Sequence, residues 1–77
     1  MPFINVKLID GVYSAGEKAE IARSLTDAMV AIEGENLRSV TICVIEEVKS
    51  GDWAIGGQSF TTETVRQLAA GHVPQPA

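Results

Sequence analysis

Read as a strand, residues Val40 to Glu47 carry apolar side chains on both faces, with Val40, Ile42 and Val44 on one and Cys43 and Ile45 on the other. A strand of this kind has to be covered twice. Upstream, Phe3 to Ile9 alternates with period two, so that Ile4, Val6 and Leu8 make one fully apolar face, and Asp10-Gly11 ends the run. Between the two strands, Ser14 and Glu17 have the spacing of a capping box, in which the hydroxyl accepts from a free helix-start amide and the carboxylate reaches back to the serine amide. Ile21, Leu25, Ala28, Met29 and Ile32 then recur every three to four residues, and Gly34 stands where a left-handed cap would end a helix. The pattern predicts a helix from Ala15 to Glu33. Strand, helix and strand in succession form one right-handed crossover with parallel strands. A single helix covers only one face of that sheet, which leaves the other to a second copy of the chain.

Length leads to the same conclusion independently. A chain of 77 residues buries only about 60% of the surface its unfolded form exposes. Cys43 is the only cysteine and His72 the only histidine, so neither an intrachain disulfide nor a Cys/His zinc cage can be built. Self-association is the remaining source of burial. The expected class is therefore α/β (α+β): a single β-α-β unit with parallel strands plus short C-terminal elements, completed by oligomerisation. After the second strand, Lys49 to Trp53 reads as a loop presenting a large aromatic and Ile55-Gly56-Gly57 as a short turn. Thr61 or Thr62 caps a final helical segment carrying Val65, Arg66 and Leu68. One domain over residues 1–70 and a flexible tail over 71–77 complete the expectation.

Six basic residues against ten acidic give a net charge of −4, the wrong sign for a chain that neutralises nucleic-acid phosphates or docks on an anionic membrane. The amino terminus lacks a basic stretch followed by a long apolar one, and the longest apolar run, Val40 to Ile45, is far short of a span. A cytoplasmic location is expected, with no nucleic acid, no membrane, no cofactor and no metal. Phosphate loops, Ser-His-Asp sets and metal-ligand clusters are missing from the sequence. The unusual position is the second. Methionine is trimmed before a small residue, so Pro2 would become a free secondary amine. An apolar pocket lowers the pKa of such an amine and leaves a base poised near neutral pH. The alternative is that Pro2 is edge-strand punctuation. Cys43 reads as a small core residue, Glu46 and Glu47 as strand-end acids, and His72 as part of the tail.

Pro2 followed at once by a strand, the capped helix, Ser39-Val40, the strand from Thr41 to Glu46, Lys49, Trp53 and Ile55-Gly56-Gly57 together resemble the 4-oxalocrotonate tautomerase family of short tautomerases. The resemblance runs from Pro2 to Gln58. It implies a β-α-β fold assembled as a hexamer, in which the amino-terminal proline shuttles a proton during keto–enol interconversion of a small 2-oxo or 2-hydroxy acid. Carried over position by position, Pro2 matches the catalytic amine and Trp53 an aromatic that keeps the pocket apolar. Ile9 matches a strand-end residue whose amide contacts substrate, and Ser39 a serine near the substrate carboxylate. Two positions depart from the pattern: dicarboxylate-processing members carry arginines where this chain has Val12 and Thr41. Preorganised cations of this kind contribute several kcal/mol to a developing enolate. Without them, a monocarboxylate with an apolar tail is the expected substrate, and Arg38 and Arg66 are the candidate substitutes, each also readable as a solvated surface cation. Two other readings stand beside the tautomerase: a non-catalytic partner subunit of such an oligomer, and a hydratase or dehalogenase using Pro2.

Overall fold

The computed structural model describes residues 1–71. β1 (Phe3–Ile9) is followed by α1 (Ala15–Glu33), a 3₁₀ segment (Glu35–Val40), β2 (Ile42–Val48), a short hairpin of β3 (Trp53–Ile55) and β4 (Gln58–Phe60), and α2 (Thr62–Ala69). β1 and β2 are neighbours in a two-stranded sheet. Ile42 N donates to the Pro2 carbonyl at 3.2 Å and Asp10 N to the Val48 carbonyl at 2.8 Å. Pairing thus advances in the same direction along both strands, the parallel arrangement that a helical crossover requires.

The chain divides into two units, one of Met1–Lys7 with Tyr13–Glu46 and one of Leu8–Val12 with the chain from Glu47 onward. In the first, exposure along β1 alternates, with Phe3, Asn5 and Lys7 exposed and Ile4 and Val6 half-buried. The expected strand has the expected covered face. α1 begins as its cap dictates: Ser14 Oγ accepts from Glu17 N at 3.1 Å, and a Glu17 carboxylate oxygen accepts from Ser14 N at 2.9 Å. At its other end the Gly34 amide donates to the Val30 carbonyl at 2.8 Å. Gly34 itself has φ +105° and ψ 149°, a glycine-favouring conformation but not the left-handed helical one expected, because the chain leaves at once into the 3₁₀ segment.

The apolar stripe of α1 is wider than the face that the chain covers. Val30 is 5% exposed and Met29 half-buried, whereas Leu25 and Ala28 are exposed and Ile32 is 85% exposed. At 100° per residue, Leu25, Ala28 and Ile32 fall together on one flank of the helix. Ile9 and Val30 are the buried hydrophobics among the described residues, and no side chain there is fully buried.

β2 starts later than its β-branched run suggests. Val40 ends the 3₁₀ segment and Thr41 caps it, with Thr41 N donating to the Arg38 carbonyl at 3.2 Å. Short-range bonds of this type satisfy the backbone locally and hold both residues out of the ladder.

In the second unit the loop expected to present Trp53 and the turn at Ile55-Gly56-Gly57 are instead one hairpin. Trp53 pairs with Phe60, Ala54 with Ser59 and Ile55 with Gln58. Gly56 and Gly57 have φ of +60° and +81°, the requirement of a two-residue turn that matches strand twist. Strands of three residues are too short to leave a readable period. Thr61 caps α2, its hydroxyl accepting from Thr64 N at 3.2 Å, as expected. The tail expected over 71–77, with His72, lies outside the described residues except for Gly71.

Candidate active site

The sequence-derived site residues fall into two groups, one in each unit. In the first unit, Pro2 is half-buried directly before β1, and its carbonyl is paired with Ile42, the residue after Thr41. The parallel ladder thereby places Pro2 and Thr41 across from each other at the start of the sheet. Met1 precedes Pro2 and is exposed. With Met1 attached, the Pro2 nitrogen is an amide without basicity. Thr41 Oγ1 has two acceptors within reach, the Leu37 carbonyl at 2.8 Å and a carboxylate oxygen of Glu33. Its single proton serves those acceptors, so the hydroxyl closes the turn rather than standing free as a donor. Ser39 is exposed in the 3₁₀ segment.

Arg38 is the most heavily engaged cation in this group. Its Nε donates to Glu35 at 2.7 Å and its Nη1 to Asp27 at 2.8 Å, with a further bond from Nη2 to Glu35 at 3.3 Å. Hydrogen bonds from the guanidinium, reinforced by its charge, hold the Glu35 carboxyl below its ordinary value, and the same contacts raise the pKa of Arg38. Two carboxylates around one guanidinium leave no net positive charge to offer. The Glu35 partner, three positions away, is the kind of pair that sequence reveals; Asp27, eleven away, is not.

The open face of the sheet carries a second polar set. Asn5 Nδ2 and Lys7 Nζ both donate to Glu46 Oε1, the lysine at 3.2 Å. The amide hydrogen bond first, then that of Lys7 and its charge, keeps the Glu46 carboxyl below its ordinary value. A carboxylate stabilised in this way stays ionised and is a poor proton donor. Sequence alternation put Asn5 and Lys7 on one face, but gave no sign that Glu46 would sit between them.

In the second unit, Ile9 is 8% exposed at the end of β1. Trp53 is half-buried, and its indole N–H is buried with no hydrogen-bond partner. The turn after β1 is gripped from α2 by two side chains one helical turn apart. Thr62 Oγ1 donates to the Asp10 carbonyl at 2.5 Å, and Arg66 Nη2 to the Gly11 carbonyl at 2.6 Å. Thr62 N in turn donates to Ser50 Oγ at 2.8 Å. The Asp10–Gly11 contribution went unseen in the sequence because a carbonyl oxygen is the same in every residue. Among the described residues no set of His, Cys, Asp and Glu side chains could hold a metal, and no helix is long and apolar enough to cross a membrane.

A parallel β-α-β unit with Pro2 directly before its first strand and a hairpin closed by Gly-Gly defines a class of small α+β proteins. The chain belongs to the tautomerase family: the sequence model for "Tautomerase enzyme" matches residues 2–63. It is 33% identical over 61 residues to "Probable tautomerase K2" of Dickeya dadantii (strain 3937), covering 79% of this chain and 90% of that protein. The crystal structure of DmpI from Helicobacter pylori is similar in fold, with a TM-score of 0.66 and 29% identity over 86% of this chain and 97% of that one.

Proposed function

We propose that the chain is a tautomerase that interconverts the enol and keto forms of a small 2-oxo or 2-hydroxy acid, with Pro2 as the proton carrier once Met1 has been removed. The observation that carries this reading is the family match, whose first residue is Pro2 itself. The secondary amine takes the enol proton from oxygen and returns a proton to the adjacent carbon, so that the 2-hydroxy form becomes the 2-oxo form with no net loss of atoms or charge. Partial burial, as at Pro2, favours the neutral amine needed for the first transfer. No cofactor enters the step.

Self-association, with a hexamer as the specific form, belongs to the same reading. Its support is the sparse core of the single chain and the apolar flank of α1. For the hydratase or dehalogenase reading the candidate acids are Glu46 and Glu47, and Glu46 is engaged by Asn5 and Lys7. The test combines intact mass with turnover. The protein lacking Met1 should ketonise phenylenolpyruvate, Pro2→Ala should lose most of that activity, and a preparation retaining Met1 should have none. Equal rates for the parent and Pro2→Ala would refute the role of Pro2.

A further inference from the structure

We infer that Glu33 is the counter-ion of the Pro2 amine once Met1 has been removed, a positioning residue whose carboxylate, held by Thr41, keeps the proton on that amine to higher pH than burial alone would allow. The inference rests on the tautomerase reading for the role of the amine, but its evidence is where the sheet places three half-buried side chains. Asn5 and Lys7 of β1 reach Glu46 of β2, so the odd-numbered residues of β1 share a face with the even-numbered residues of β2. Thr41 is extended, with φ −89° and ψ 116°, and side chains alternate along extended chain. Pro2 and Thr41 therefore point together to the opposite face. The bond from Ile42 N to the Pro2 carbonyl sets them side by side at the start of the sheet, one strand spacing or about 4.8 Å apart. Glu33, the last residue of α1, accepts from the Thr41 hydroxyl on that face. Pro2, Glu33 and Thr41 are each half-buried.

The position of Glu33 favours a cation beside it. The carbonyls at the end of a helix carry partial negative charge, which disfavours an anion there and stabilises a cation. α1 has no basic residue in its last turn. A protonated Pro2 supplies positive charge at that end, and the carboxylate and the helix terminus act on it with the same sign, raising its affinity for the proton. Desolvation acts with the opposite sign, because it penalises the ammonium. The other charged groups of this unit are disposed differently. Arg38, in the 3₁₀ segment, is bonded to Glu35 and to Asp27 of α1, and Lys7 and Glu46 are paired on the other face of the sheet. Cys43, next along the Thr41 face of β2, is the titratable group that β2 adds on that side. Glu33 thereby sets the pH at which Pro2 becomes available as a base.

The test titrates the Pro2 amine directly. In protein carrying isotope-labelled proline and freed of Met1 by methionine aminopeptidase, with the removal verified by intact mass, the Pro2 nitrogen resonance reports its own protonation without any substrate. Glu33→Gln keeps a side-chain oxygen for the Thr41 hydroxyl but removes the charge, and should lower the Pro2 midpoint by roughly half a pH unit or more. Glu46→Gln removes a carboxylate from the other face and should leave the midpoint in place. Should Glu33→Gln fold poorly, the parent carries the same information in reverse, because coupling between two sites is reciprocal: the Glu33 carboxyl carbon resonance should show a second inflection at the pH where Pro2 loses its proton. An equal Pro2 midpoint in the parent and Glu33→Gln, an equal fall in Glu46→Gln, or a Glu33 resonance without that inflection would overturn the inference. The tautomerase reading is decided separately by the turnover of Pro2→Ala, since the amine titrates whether or not the protein turns over a substrate.

Discussion

Arg38 meets the carboxylates of Glu35 and Asp27 at 2.7 and 2.8 Å, so its charge is compensated before any ligand arrives. Arg66 instead donates to a neutral carbonyl, that of Gly11. That difference in partner is invisible in composition. The neighbouring Val12 adds no charge, so Val12→Arg should raise kcat/KM for the dicarboxylate 2-hydroxymuconate relative to phenylenolpyruvate. An unchanged ratio would count against reading Val12 as a determinant of selectivity. Gly11 is constrained for a separate reason. Its φ is +83°, and a Cβ there would meet the Thr62 methyl at 3.4 Å. Gly11→Ala should therefore lower stability by roughly 1 kcal/mol or more, mostly through backbone strain, as measured by urea denaturation.

α1 owes its start to the reciprocal bonds between Ser14 and Glu17. Ser14→Ala leaves a helix-start amide without its acceptor and should cost about 1 kcal/mol, read as a lower urea midpoint with unchanged slope. The β1–β2 pair has an acid-sensitive connection in Asn5, Lys7 and Glu46. Because the Glu46 carboxyl is depressed in the folded chain, its stabilisation is present above the unfolded value and is lost as pH falls through the folded one. Stability should thus decline below the ordinary value of 4.5. Glu46→Gln should be less stable at neutral pH and show a shallower decline under acid. Glu35 acts in the same direction through Arg38, so a residual slope is expected in that variant. An unaltered acid profile in Glu46→Gln would mean that the connection contributes nothing.

Across the whole molecule, the sparsity of buried side chains bears on assembly. Ile9 and Val30 alone among described hydrophobics are buried, while Phe3, Ile32 and Ile55 are 63%, 85% and 65% exposed. If copies cover these surfaces, thermal stability must rise with protein concentration, because association acts by mass action. Sedimentation should give a multimer, and Ile32→Lys should shift it towards smaller species while α1 keeps its helicity. A folded 8.2 kDa monomer at micromolar concentration would contradict both the burial argument and the proposed oligomer.

Local chemistry determined much of this fold directly. The period of two in Phe3–Ile9, the cap at Ser14 and Glu17, and the three-to-four spacing through α1 each act within a few residues, so the sequence displays their causes, and the limits of β1 and α1 follow from them. A threonine cap for α2, at Thr61 or Thr62, was legible in the same way, and the structure uses Thr61. Pro2 was legible as a candidate because its chemistry needs only its place in the chain. Elsewhere, contacts that leave no period in the sequence decided the outcome. Val40 and Thr41 carry strand-forming side chains, yet bonds from Thr41 to Leu37, Arg38 and Glu33 hold them in a turn. Ile32 belongs to the apolar stripe, yet lies outside the face that the chain covers. Arg38 and Arg66 read alike in sequence, and only the folded chain brings Asp27 to one and the Gly11 carbonyl to the other. Periodicity and capping are short-range and repeat along the chain. The environment of a charge is set by partners that folding brings from eleven or fifty-five positions away, and no local pattern encodes them.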